Sequence, residues 1–282
     1  MLRTRIVTAV FLLAGLLGAL FFLPGPGWIA LCVLICAVAA WEWGGLAGWN
    51  GKARIAYAVA LGTLCAVLDH SIGAIEADLF LLAALFWLFV VPFWLKYKWS
   101  LNKWSAALVG CIVLVPPTLV FIVLRESIGP VTVLVAAAPV WIADIAAYFS
   151  GRAFGRAKLA PSISPGKTWA GAIGATLGVM AYCSAVFAAV ANGFHIEKAG
   201  ILLLDFTVTL GTILVILTLS VVLTALSIVG DLFESLLKRQ AGVKDSSNLL
   251  PGHGGVLDRI DSLTSTLPVL AVLEFIFFVY LF

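Results

Sequence analysis

The chain has 282 residues, of which 63% are hydrophobic and 11% charged, with 17 Lys and Arg against 14 Asp and Glu. Soluble domains carry about 25% charged residues, so a soluble enzyme, a disordered chain and a secreted disulfide scaffold are excluded. The small net charge of +3 gives no reason to expect nucleic acid, and what remains is an all-α polytopic integral membrane protein.

Nine spans are predicted in chain order, at 6–23, 27–46, 54–69, 78–95, 104–124, 131–149, 168–190, 206–230 and 262–282. Most are close to the ~20 residues that cross a hydrocarbon core, with 54–69 notably short. The first, preceded by Arg3 and Arg5, imitates a signal peptide. Its apolar run of 18 residues exceeds the usual h-region of about 7–15, and Pro24-Gly25-Pro26-Gly27 is a poor cleavage site. It reads as an uncleaved membrane helix. Glu42, between Trp41 and Trp43 in the second span, reads as an interfacial or interhelical contact. Trp94, Trp99 and Trp104 suggest an aromatic belt. Cys32, Cys36, Cys65, Cys111 and Cys183 all fall in apolar runs and read as small apolar residues, not disulfides or metal ligands. The sixth span carries Asp144, and the last carries Glu274, read as a bond to a neighbouring helix.

Orientation follows from the basic residues in the connections. With the N-terminus cytoplasmic and the C-terminus outside, only Arg125 and Lys198 of the 17 Lys and Arg fall on the outer face. The two most polar loops, 150–167 and 231–261, are then both cytoplasmic. The chain divides into scaffold helices over 1–140 and a chemical part over 141–282, within one membrane domain.

The loop 231–261 mixes four cations (Lys238, Arg239, Lys244, Arg259) with five anions (Asp231, Glu234, Asp245, Asp258, Asp261). Such a mixture suits a polyphosphate and a hard divalent cation: carboxylates hold the metal and Lys or Arg neutralises the remaining charge. Gly252, Gly254 and Gly255 allow backbone N–H groups to approach a phosphate. Asp258 and Asp261 share a face at the start of the last helix, and a fold that joins the helix ends would pair Asp231 with Asp258. Glu234 and Asp245 read as salt-bridge partners of Lys238 and its neighbours. His253 is either a functional group or a loop hydrogen-bonder. The competing reading of the whole segment is a solvated loop with helix-capping aspartates.

A second patch begins at Asp144, a carboxylate that is costly within an apolar span. It continues through Arg152, Arg156 and Lys158 to Ser164-Pro165-Gly166-Lys167-Thr168. A nucleotide P-loop is excluded, because Pro161 stands where its first glycine belongs. Lys167 and Thr168 still precede a helix whose N-terminus favours an anion; a topogenic basic loop with a helix cap is the alternative.

The run from Ser235 to Asp261, S-L-L-K-R-Q-A-G-V-K-D-S-S-N-L-L-P-G-H-G-G-V-L-D-R-I-D, resembles the signature of phosphatidate cytidylyltransferases (CDP-diacylglycerol synthases), with no departure over its 27 positions. The D-x-x-A-Y…G-x-x-x-G…S-P-G-K-T pattern over 144–168 is also similar to that family. The resemblance implies transfer of CMP from CTP to phosphatidate, Mg²⁺ dependence, a second cation such as K⁺, and a homodimer. It implies that Asp231 and Asp258 are metal ligands; Asp144 is read beside them as completing that site or holding the second cation. Lys167, Ser164, Thr168 and Lys244 would bind substrate phosphate, and Lys238, Arg239, His253, Arg259 and Asp261 would serve the reaction. The expected location is a bacterial inner membrane with the site facing the cytoplasm. Two rival readings are a CTP-dependent polyprenol or lipid kinase and an ion-coupled transporter using Asp144 and Glu274.

Overall fold

A computed structural model describes residues 2–70, 76–191 and 209–281. The expectations for Lys198 and for the side chains of Arg3, Arg5 and Glu274 lie outside the described residues and side chains. Nine helices occur among the described residues: α1 (Leu2–Phe22), α2 (Gly25–Leu46), α3 (Gly51–His70), α4 (76–97), α5 (Lys103–Ile128), α6 (Pro130–Phe154), α7 (Trp169–Ala191), α8 (Leu210–Gln240) and α9 (Leu257–Leu281). Helix α4 passes through a π-helical turn at Phe86–Val90, and α5 ends in another at Leu124–Ile128. Each helix matches one expected span, and the seven from α2 to α8 are long and apolar enough to cross a bilayer.

Two boundaries differ from the sequence reading in a way that matters for the site. Helix α8 continues to Gln240 instead of ending near 230, and α9 begins at Leu257. The polar loop therefore shrinks to 241–256, and Asp231, Glu234, Lys238 and Arg239 are helical. The apolar run stops at Gly230, but helical periodicity does not: Leu232, Phe233, Leu236 and Leu237 all remain buried along α8, as a 3.6-residue repeat requires. The segment 150–167 is also more ordered than a loop. Helix α6 extends to Phe154, and an antiparallel pair, β1 (Lys158–Ala160) and β2 (Ser164–Thr168), leads into α7.

Relative sidedness is fixed by contacts between distant segments. Thr8 near the start of α1 donates to the Pro251 carbonyl, and Gln240 at the end of α8 donates to the carbonyls of Lys98 and Trp99 beyond α4. Lys167 before α7 pairs with Asp231 on α8, and Glu42 near the end of α2 reaches the loop 241–256. One end of the bundle thus collects the start of α1, the ends of α2, α4 and α8, and the starts of α7 and α9. This is the alternation that nine consecutive spans demand.

Packing aims the helix ends. Phe233 stands among Trp43, Phe86, Trp87 and Trp94, with ring centroids 5.5–6.4 Å apart, which sets the rotation of α8 beside the charged residues. Trp94 is consequently core, with its Nε1 donating to the Trp99 carbonyl at 2.6 Å, and not part of an aromatic belt; Trp104, 87% exposed, is free to be. Helices α8 and α9 touch at Gly230, where a Cβ would lie 2.5 Å from Ser265 Oγ and 2.7 Å from the Asp261 carbonyl oxygen. Ser262 and Ser265 donate across this seam to the carbonyls of Ser227 and Leu226. Small residues and interhelical hydroxyl bonds join helices where lipid supplies no hydrophobic drive. Helix α7 meets α6 the same way, through Gly171, Gly174 and Gly178. All five cysteines are free.

Candidate active site

The last two turns of α8 and the first turn of α9 face each other across a buried ion-pair cluster. Lys238 Nζ lies 2.8 Å from Glu234 Oε2, one turn back on α8, and 2.6 Å from Asp258 Oδ1 at the start of α9. Glu234 and Asp258 are both buried. Asp258 Oδ2 accepts three further hydrogen bonds, from Ser246 N at 2.9 Å, Ser246 Oγ at 2.9 Å and Gly255 N at 2.7 Å. Asp258 precedes the apolar run 262–282. Burial alone would raise its carboxyl, but the bonds from Lys238, Gly255 and Ser246 outweigh that and hold it below the ordinary aspartate range. The same side chain therefore closes the loop on itself and ties it to α8.

A second carboxylate holds the loop from the opposite side. Glu42, wholly buried, accepts from Ser247 Oγ at 2.6 Å and from the backbone amides of Val256 at 3.0 Å and Leu257 at 2.7 Å. Ser246 Oγ lies 3.2 Å from it and 2.9 Å from Asp258, so one hydroxyl proton serves two acids. Glu42 thereby satisfies amides at the N-terminus of α9, where a carboxylate is favoured. Gly255 permits this: a Cβ there would sit 2.1 Å from Ser246 Oγ and 2.5 Å from Glu42 Oε1. Gly254 has φ of +84°, a conformation favouring glycine.

Held in this way, the loop lines an open polar cavity of about 550 Å³, with Lys244, Asp245, Asn248, His253 and Arg259 among its walls. Lys244 and Arg259 are exposed, and His253 Nδ1 is buried without a hydrogen-bond partner. Arg239, also exposed, donates to the Val243 carbonyl at the loop's start. Asp245 lines this cavity and has no ion pair among the described residues, contrary to the expectation that it would pair with a neighbouring cation; Glu234 does pair, with Lys238.

The second patch joins the first through Asp231. Lys167 Nζ lies 2.7 Å from Asp231 Oδ2 and 3.4 Å from the Ile228 carbonyl, and Ser235 Oγ donates to Asp231 Oδ1. Asp144 is exposed on α6, within electrostatic reach of Asp231, Lys167 and Arg259. Asp261, half-buried one turn along α9 from Asp258, has its carboxyl pushed up by removal from water and by the charges of Asp231 and Asp144. Glu234 Oε1 is buried nearby without a partner. The structure thus gathers Asp144, Asp231 and Asp261, and Glu234, beside Asp261, links them to the Lys238–Asp258 pair. Thr168 is buried and its Oγ1 accepts the Gly171 amide, capping α7, while Ser164 pairs with Ala160 in the hairpin.

The donor set is oxygen only, as Mg²⁺ prefers. Among the described residues no three His, Cys, Asp or Glu side chains converge tightly enough to enclose a metal alone. That still fits Mg²⁺, which is commonly held by one or two carboxylates together with substrate phosphates and water. Glu42, Ser246 and Ser247 are the residues that sequence reasoning missed. The available signal was Glu42 itself, a lone acid within an apolar helix.

A family model described as the cytidylyltransferase family matches residues 3–277. The phosphatidate cytidylyltransferase of Pseudomonas aeruginosa is 39% identical over 279 residues, covering 97% of each chain. Those of Haemophilus influenzae and Brucella suis are 36% and 37% identical, covering 98% of this chain and 99% and 94% of their own. With a family match that runs almost from end to end, over the same residues that build this site, the chain belongs to the cytidylyltransferase family.

Proposed function

We propose that this chain transfers CMP from CTP to phosphatidate, leaving CDP-diacylglycerol in the bilayer and releasing pyrophosphate. What carries this reading is the collection of carboxylates and cations at one bilayer face, in a chain 39% identical to a phosphatidate cytidylyltransferase. A phosphatidate oxygen attacks the α-phosphorus of CTP and pyrophosphate departs, so the lipid is its own nucleophile. Two polyanions must meet, and positioning with charge neutralisation supplies most of what such a reaction needs. Lys244, Arg259 and His253 bind the nucleotide phosphates in the loop cavity, with Arg239 at its edge. Lys167, beside Asp144 and Asp231, meets the lipid phosphate nearer the apolar part of the bundle.

In this reading one or two of Asp144, Asp231 and Asp261 would hold Mg²⁺ together with substrate phosphates, and a second cation, K⁺, would sit in the same acidic group. Asp258 joins them only through Oδ1, whose partner is Lys238. The bound Mg²⁺ supplies neutralisation of phosphate charge. The site faces the cytoplasm of a bacterial inner membrane, with the N-terminus inside and the C-terminus outside, as the asymmetry of basic residues favours. The chain acts as a homodimer, as the family resemblance implies.

The test uses detergent-solubilised protein with phosphatidate, Mg²⁺ and CTP labelled in either the cytidine or the γ-phosphate. The expected result is cytidine label in the lipid with release of pyrophosphate, lost on chelation and restored by Mg²⁺. Label from the γ-phosphate in the lipid would reject this reading in favour of a kinase.

A further inference from the structure

Glu42 stands in the second helix, far from the signature over 235–261, and does not line the loop cavity. Yet its carboxylate is bonded by the loop and the first turn of α9, 204 to 215 positions away. Its two oxygens take the Ser247 hydroxyl and the Val256 and Leu257 amides, and share the Ser246 hydroxyl with Asp258. The Gly255 backbone lies against the carboxylate with no room for a side chain between them. The loop's other ties are polar as well: Asp258 takes the Ser246 and Gly255 amides, and Thr8 donates to the Pro251 carbonyl. Residues 241–245, 248, 249, 251 and 252 are exposed, so apolar burial does not set its shape. Its geometry rests on polar ties, and a wholly buried carboxylate with four donors is the strongest kind.

We propose that Glu42 is a positioning residue for the nucleotide: from the scaffold half of the chain, it clamps the loop 241–256 so that Lys244, His253 and Arg259 stand around one cavity. The proposal rests on reading that cavity as the nucleotide-phosphate site. Glu42 touches no substrate. Its effect passes through Ser247 and the first amides of α9, which fix where Gly254, His253 and Arg259 sit.

Near-isosteric Glu42→Gln tests it, because the amide nitrogen then faces donors where an oxygen accepted. Two readouts are taken on full-length protein in micelles: steady-state kinetics with each substrate varied, and hydrogen exchange over 246–257. Losing a charged acceptor is worth about a tenfold change. The expected result is a KM for CTP raised about tenfold, a KM for phosphatidate unchanged within about twofold, and exchange at Val256 and Leu257 faster by about tenfold. If Glu42→Gln does not fold, Ser247→Ala removes one of the bonds to Glu42 together with the local acceptor of the Leu249 amide, and an increase of about threefold in the CTP KM is expected. An unchanged CTP KM overturns the proposal, as does an equal loss for both substrates accompanied by a lowered melting temperature. Wild-type protein that labels no phosphatidate removes the nucleotide reading, and the exchange comparison still decides whether Glu42 holds the loop.

Discussion

Replacing Lys238 by methionine separates two roles that the sequence assigns to one residue. In the structure Lys238 Nζ lies 2.8 Å from Glu234 and 2.6 Å from Asp258, and all three side chains are at most 12% exposed. Removing the cation does not affect the two acids equally. Asp258 keeps three donors on Oδ2. Glu234 loses the partner of Oε2, while its Oε1 already has none. Breaking a buried pair by deleting one member costs about 3–5 kcal/mol, mostly from the charge left behind. Lys238→Met is therefore expected to lose about 3 kcal/mol or more in equilibrium unfolding in mixed micelles. Adding Glu234→Gln removes the stranded acid, and the double variant should recover all but about 1 kcal/mol. Activity then decides the second role. If Lys238 meets a substrate phosphate, the double variant stays inactive despite its recovered stability; if it serves only as a tie, activity returns with stability. A single variant losing less than about 1 kcal/mol, or a double variant no more stable than the single, would refute the reasoning.

Two glycine substitutions probe the close approaches on either side of this cluster. Gly255→Ala places a Cβ 2.1 Å from Ser246 Oγ and 2.5 Å from Glu42 Oε1; nucleotidyl transfer should fall at least about a hundredfold, equivalent to ~2.7 kcal/mol, with the far-ultraviolet circular dichroism of the helices unchanged, and near-normal turnover would remove the clamp from the argument. Gly230→Ala must part α8 from α9, since its Cβ would meet backbone and side chain of the facing helix within 2.7 Å; a loss of about 1–3 kcal/mol is expected for such overpacking, measured by unfolding in the same micelles, and an unchanged midpoint would contradict the seam.

The spans were legible because apolar length reports directly on bilayer thickness, and all nine are matched by helices among the described residues. The candidate site drew attention in the sequence for a different reason. Charges, glycines and His253 crowd into a short stretch of an otherwise apolar chain, and that density is itself unusual. What was not legible is where the helices stop. Hydropathy falls at Gly230 while Leu232, Phe233, Leu236 and Leu237 keep the helical repeat, so a reading tuned to membrane apolarity ended α8 too early. It therefore missed that Glu234 and Lys238 are one turn apart on a helix and bond for that reason. Glu42 was visible as an acid in a span, but its partners lie 204 to 215 positions away. No local pattern encodes such a pairing; it appears only when α2 and α9 are packed end to end.

The acids of the candidate site consequently divide by what surrounds them. Asp258 is saturated by Lys238, Ser246 and Gly255, and Glu42 does the same work from outside the signature. Asp144, Asp231 and Asp261 crowd one another with fewer donors, the arrangement a cation or a phosphate-bound metal relieves. The cations divide likewise. Lys238 and Lys167 are committed to carboxylates, whereas Lys244 and Arg259 are exposed at the cavity. A loop whose Ala241, Val243 and Leu249 stay exposed gains little from apolar collapse, so burial does not fix its shape. It borrows rigidity from α2 through Glu42 and from α9 through Asp258, which Lys238 ties to α8. The stiffness that orients Lys244 and Arg259 is thus a property of the helix bundle, so a substitution in α2 that leaves the signature intact can disturb the chemistry as surely as one inside it.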